Sequence, residues 1–247
     1  MRSRRPFRPS VSGLETRLAM SHAAAPIAPV DPAYAATGAY TDSFRLVVHD
    51  WYAARAARGE AKVLFLGDSI TLLWQGQPGI SRGTAAWDAN FAGLGAANFG
   101  ILGDQTQNVL WRVENGELAA RPRVVVLLVG INDILLGSKT PAGVTAGVAD
   151  DVKAIRQQSP RTQVLVLGLL PVAYGGFAAL ENPTNARIAA VVGHQKDVTY
   201  LDPGRAFLRP DGTPAPGVLH DDVHPAALGY QILAGQLIGP IKAALRR

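Results

Sequence analysis

Val63-Leu64-Phe65-Leu66-Gly67-Asp68-Ser69-Ile70 sets a continuous apolar run directly against glycine, aspartate and serine. A run this short and this apolar, with no alternation, fits a strand buried on both faces. Glycine permits a tight exit from it, and a serine opening the next helix lies beside backbone N–H groups that can stabilise an anion. Further strand-like runs follow at Ala96–Phe99, Val124–Val129, Val164–Leu167 and Val198–Leu201. Helix-like stretches near 104–115, 141–158 and 181–195 separate them, and a last helix is predicted from Pro225 to about Leu245. Upstream, Phe44, Val47, Val48, Trp51 and Tyr52 give an apolar face to a helix from Asp42, its expected N-cap, to about Gly59.

Buried strands alternating with helices predict a five-stranded parallel sheet covered on both faces, an α/β/α three-layer sandwich. Sites in such sheets lie beyond the carboxyl ends of the strands. Residues 1–41, rich in Pro, Ala and Ser and without sustained periodicity, read as a flexible N-terminal arm preceding one domain over 42–247. That arm carries most of the net charge of +5, with Arg2, Arg4, Arg5, Arg8 and Arg17 against Glu15. The body therefore lacks the basic stripe of a nucleic-acid surface. With 48% hydrophobic and 17% charged residues it reads as globular, and no apolar run reaches transmembrane length. The absence of cysteine excludes disulfides and thiolate chemistry. Ser3-Arg4-Arg5-Pro6-Phe7 is a degenerate twin-arginine-like export signal, but Glu15 and Arg17 interrupt any apolar region after it. A cytoplasmic location is the expectation, with export as the alternative; Met1 and Met20 are both possible starts.

Four junctions carry polar residues suited to chemistry. Gly67-Asp68-Ser69 can present a nucleophile or simply cap a helix. Asn98-Phe99-Gly100-Ile101-Leu102-Gly103-Asp104 can offer the Gly103 N–H, with Asp104 capping the next helix, or be a plain helix start. Gly130-Ile131-Asn132-Asp133 can place an amide donor or close an Asx turn. In Asp221-Asp222-Val223-His224-Pro225 the carboxylate of Asp221 can reach one imidazole nitrogen and leave the other facing a serine. Pro225 is expected at the first position of the last helix, although His-Pro there also suits a surface cap. Each signal is weak alone; their joint order is not.

These blocks resemble the GDSL/SGNH hydrolase family. The likeness extends through Val109-Leu110-Trp111-Arg112-Val113-Glu114-Asn115-Gly116-Glu117-Leu118 and Val166-Leu167-Gly168-Leu169-Leu170-Pro171, from about Phe44 to the end. The resemblance implies a flavodoxin-like sandwich and a serine esterase acting on short, acetyl-like esters. It implies Ser69 as nucleophile, Asp221 and His224 completing a triad, and an oxyanion hole from Ser69, Gly103 and Asn132. Asp68 and Leu102 are expected at the substrate. The family's acetylhydrolases have glycine at Leu102 and asparagine at Asp133, so the width of the acyl pocket is the open point. No metal or organic cofactor is implied. The expected partner is a small-molecule, carbohydrate or lipid ester, with a homodimer possible; a lysophospholipase, a thioesterase or a non-catalytic module on the same fold are the alternatives.

Three competing features are weighed against this reading. Gly79-Ile80-Ser81-Arg82-Gly83 has nucleophile-elbow spacing, but a turn, Gln75-Gly76-Gln77-Pro78, precedes it where a strand is required. His220 and His224 would share a metal-binding face only on a helix, which Pro225 disfavours, and His22, His49 and His194 have no context as further ligands. Trp74, Trp87, Trp111 and Tyr174 suit a substrate groove, but core packing is the expectation for each.

Overall fold

The computed structural model describes residues 42–75 and 81–247. Residues 1–41, with the expected arm and export signal, lie outside the described residues, as do Gly79 and Ile80. Helix α1 (Asp42–Ala57) leads into β1 (Val63–Gly67), a one-turn helix α2 (Ser69–Leu72), α3 (Thr84–Asn90) and β2 (Ala96–Gly100). Then come α4 (Thr106–Arg112), a π-turn (Val113–Glu117), β3 (Val124–Leu128), α5 (Ile131–Leu135) and α6 (Pro141–Gln158). Strand β4 (Gln163–Leu167), α7 (Ala178–Val192), β5 (Val198–Leu201) and α8 (Ala227–Leu245) complete the order.

The five strands are parallel in the order β2-β1-β3-β4-β5. The order in which strands are added reverses between β1 and β3, so their carboxyl ends form the crevice where α/β sheets bind ligands. Every residue of β1 and β3 is buried, as expected for a sheet covered on both faces. Helices α4, α6 and α7 pack on one another along one face, and α3 packs with α8 on the other. That second face is held by an aromatic cluster: Phe65 stands 4.8 Å from Trp87 and 5.0 Å from Phe91, and Trp74 stands 4.6 Å from Tyr230. Burying Tyr230 requires a partner for its hydroxyl, which donates to the Ile70 carbonyl at 2.7 Å and ties α8 to the turn after β1. At Gly100 a side chain is impossible without movement, because a Cβ would lie 2.2 Å from the Leu72 nitrogen. The turn after β1 therefore rests directly on the end of β2.

The structure differs from the sequence reading at several boundaries. Helix α4 begins at Thr106 and not at Asp104; Gln105 is its N-cap, with its N–H donating to Asn108 Oδ1 at 2.9 Å. Pro225 is not the first residue of the final helix, which starts at Ala227, because Pro225 pairs with Leu219 in a short antiparallel bridge. Ser69 opens α2 as expected, although that helix is a single turn; helices α3 and α5 are additional elements. Trp74 and Trp87 are core residues, but Trp111 and Tyr174 are 43% and 49% exposed. Trp111 points outward from α4 and packs on the His49 ring at 4.6 Å. Among the described residues, no helix is long and apolar enough to cross a membrane.

Candidate active site

Asp68 terminates β1 in extended conformation and its Oδ1 accepts the Ile70 N–H at 2.9 Å, which makes it the N-cap of α2. Ser69 is thereby the first residue of that helix, where its own N–H has no intrahelical acceptor. Asp68, expected at the substrate, has its side chain fully buried beneath this turn. Burial pushes the Asp68 carboxyl up to about 7, opposed by the Ile70 N–H and reinforced by Asp104 and Asp133.

A carboxyl whose pKa is raised on folding holds a proton that the unfolded chain has lost, so stability declines as pH rises between the two values. Thermal unfolding should thus show a stability loss from about pH 4 to about pH 7 in which Asp68 contributes on the order of a few kcal/mol. Asp68→Asn, which keeps the capping oxygen, should flatten that slope; calorimetry across the window that finds parallel slopes would refute the assignment.

The segment between β5 and α8 delivers the partner to Ser69. The His220 N–H donates to the His224 carbonyl at 2.8 Å, and the Ala226 N–H to the Val218 carbonyl at 2.9 Å, closing residues 218–226 into a hairpin-like turn. The Ala173 N–H, from the loop after β4, donates to the Asp222 carbonyl at 2.7 Å and fixes this turn against the sheet. Within it, Asp221 Oδ1 accepts the Val223 and His224 N–H groups at 2.9 and 2.7 Å. His224 Nδ1 lies 2.9 Å from Asp221 Oδ2, and Nε2 lies 2.9 Å from Ser69 Oγ. With Nδ1–H directed at the carboxylate, Nε2 is the side able to accept the serine proton. Partial burial acts against ionisation of Asp221, but the His224 and Val223 amides and the imidazole outweigh it and hold the carboxyl down at about 2.

The remaining two blocks meet beside this line. Gly103 adopts a left-handed φ of 69°, and its carbonyl accepts Arg45 Nη2 at 3.2 Å. Asn132 is the second residue of α5, and its Nδ2 donates to the Asp104 carbonyl at 2.9 Å, which leaves the second amide hydrogen for another acceptor. The amide thus reaches across to the neighbouring loop and closes no Asx turn of its own. Next to it, buried Asp133 accepts the Thr106 N–H at 3.1 Å and its hydroxyl at 2.9 Å, with Lys139 Nζ at 2.9 Å. Leu102 is half-buried. With Phe44, Val48, Tyr52, Leu72 and Ile101 it lines a small cavity against α1 that none of Ser69, Gly103, Asn132 and His224 borders.

Ser81, by contrast, sits just before α3, hydrogen-bonded to the Thr84 hydroxyl, with helix and turn over residues 69–75 upstream. His220 and His224 occupy a turn and share no helical face. No group of three or more metal-ligating side chains occurs among the described residues. Sequence reasoning missed the residues beneath the site, namely Arg45, Arg112 and Tyr230. The only signal was that Arg112 and Glu117, chargeable groups five apart, fall within an otherwise core-forming stretch.

The sequence profile of the GDSL-like Lipase/Acylhydrolase family matches residues 65–232. The platelet-activating factor acetylhydrolase IB subunit alpha1 of Bos taurus is 36% identical over 189 residues, covering 74% of this chain and 76% of that protein. The alpha2 subunit of Homo sapiens is 34% identical over 179 residues, covering 69% and 72% respectively. A GDSL-like lipase from Bacteroides thetaiotaomicron superposes with a TM-score of 0.63 at 20% identity, over 79% of this chain and 98% of that one. With the profile spanning the first strand to the last helix, the chain belongs to the GDSL-like lipase/acylhydrolase family of hydrolases.

Proposed function

We propose that the protein is a serine esterase that cleaves short, acetyl-like carboxylic esters through Ser69, His224 and Asp221. The observation that carries this reading is the hydrogen-bonded line from Ser69 Oγ to His224 Nε2 and from Nδ1 to Asp221, 2.9 Å at each step. In the proposed reaction Ser69 Oγ attacks the acyl carbon while its proton passes to His224 Nε2. The negative oxygen of the tetrahedral intermediate is stabilised by the Ser69 and Gly103 N–H groups and the Asn132 amide. As the intermediate collapses, His224 gives the proton to the departing alcohol and the acyl group stays on Ser69. Water, deprotonated by His224, then attacks the acyl-enzyme and releases the acid. Asp221 keeps the imidazole in the required tautomer and balances its positive charge. These steps need neither a metal nor an organic cofactor.

The preference for short acyl groups rests on the acetylhydrolase relatives and on the bulk of Leu102 beside Gly103. If Leu102 narrows the acyl side, each added methylene gains only about 0.8 kcal/mol, whereas overpacking costs typically about 1–3 kcal/mol, and the clash wins. Across esters from acetyl to decanoyl, kcat/KM should peak at the short end, and Leu102→Gly should move the optimum toward butyryl or hexanoyl. A steady rise toward decanoyl would replace this reading with a lysophospholipase or thioesterase. Absence of both turnover and labelling by a fluorophosphonate would indicate a non-catalytic module.

A further inference from the structure

Arg112, at the end of α4, is 2% exposed and uses its whole guanidinium fork. Its Nε and Nη2 donate to the two oxygens of Glu117 at 2.9 and 2.7 Å. Nη1 donates to Asp104 Oδ2 at 2.5 Å and reaches the Gly67 carbonyl at 3.4 Å, while Nη2 also donates to the Phe99 carbonyl. Glu117 and Asp104 are themselves fully buried, and His49 Nδ1 meets Glu117 Oε1 at 2.9 Å.

Such an arrangement is a poor device for stability alone, because the cost of burying three charges offsets most of their attraction. What distinguishes it is where the acceptors lie. The Gly67 carbonyl sits one residue before Asp68 and two before Ser69. The Phe99 carbonyl lies one residue before the end of β2, which leads into the Gly103 loop. Asp104 closes that loop, and its own carbonyl holds the Asn132 amide at 2.9 Å. One side chain therefore grips, or grips through a single residue, each of the backbone segments that carry Ser69, Gly103 and Asn132.

We propose that Arg112 is a positioning residue for ester hydrolysis: bridging the Gly67 and Phe99 carbonyls and the Asp104 carboxylate, it sets the three oxyanion donors in register. This rests on the esterase reading given above. Lysine keeps the charge but offers a point donor in place of a planar fork, so it cannot serve strand ends and carboxylates together. Donors aimed at a charge that develops only in the transition state affect kcat far more than KM.

The test uses purified full-length enzyme and an acetyl ester, with reactive sites counted by fluorophosphonate titration. Arg112→Lys should lower kcat per titrated site by about ten- to a hundredfold with KM within about twofold. Arg156→Lys, altering the Asp197 ion pair at the opposite end of the sheet, should leave kcat unchanged. In an Asn132→Ala background, which alone costs about 10²–10³-fold, adding Arg112→Lys should cost at least about threefold less than it does in the wild type. Asp104→Asn, which preserves the backbone carbonyl, should repeat the pattern and serves where Arg112→Lys fails to accumulate as folded protein. A lowered melting temperature with unchanged kcat per site, or losses that multiply fully in the double variant, overturns the proposal. A wild type with no turnover and no labelled serine overturns the esterase reading instead.

Discussion

Ser69→Ala is expected to lower kcat for ester hydrolysis on the order of 10⁶-fold, while Ser81→Ala leaves turnover unchanged. The size follows from cooperation: without the nucleophile, neither the imidazole nor the oxyanion donors have an acyl transfer to assist. Ser69 has the required neighbours, with His224 Nε2 at 2.9 Å and a helix start supplying free N–H groups. Ser81 is bound to Thr84 at the start of a different helix, with no imidazole partner among the described residues. Initial rates on an acetyl ester measure the first loss, and mass spectrometry of fluorophosphonate-treated protein locates the adduct. An adduct on the peptide containing Ser81 would sink the assignment.

For Asp221→Asn the expected loss reaches up to about 10⁴-fold in kcat. The asparagine oxygen can still accept the Val223 and His224 N–H groups, so the turn should persist. Its NH₂ then faces Nδ1, which must present a lone pair. Nε2 acquires the hydrogen and can no longer accept one from Ser69. Because the wild-type carboxyl is held at about 2, it stays ionised through the mildly acidic and neutral range, and the deficit should persist across that range. The Asp221 side chain is 45% exposed, so water can supply part of what is lost. A deficit below tenfold across pH 6–9 would mean that the backbone alone orients the imidazole, and would remove Asp221 from the proposed mechanism.

The sheet was legible because its strands are unbroken apolar runs, and each observed strand begins and ends within about one residue of its run. Helices α6 and α8 were legible by length and periodicity. The short α3 and α5 were not, because a helix of two turns or fewer shows no resolvable period. Pro225 misled because proline suits a bridge position as well as a helix start, and only the pairing with Leu219 decides between them. Asp104 misled in the same way: its side chain is taken by Arg112, a contact visible only once α4 folds back over β1 and β2. Trp111 was assigned to the core on the amphipathic pattern of its helix, yet it covers His49 at the surface. The residues facing chemistry sit at strand ends, where topology alone directs attention. Those that brace them from beneath come from distant segments and leave no local mark.

The bond between Ser69 and His224 joins residues 155 positions apart, and the hydroxyl of Tyr230 spans 160 to seal the same junction. Contacts of such separation form late, after the loops they close have been shortened by nearer pairings. A nascent or refolding chain with its sheet largely assembled thus carries an unactivated serine until α8 docks. Recovery of turnover should be the last event of folding to be observed, later than the return of secondary structure. On the proposed reading, the same order during synthesis keeps Ser69 silent until α8 has emerged and docked.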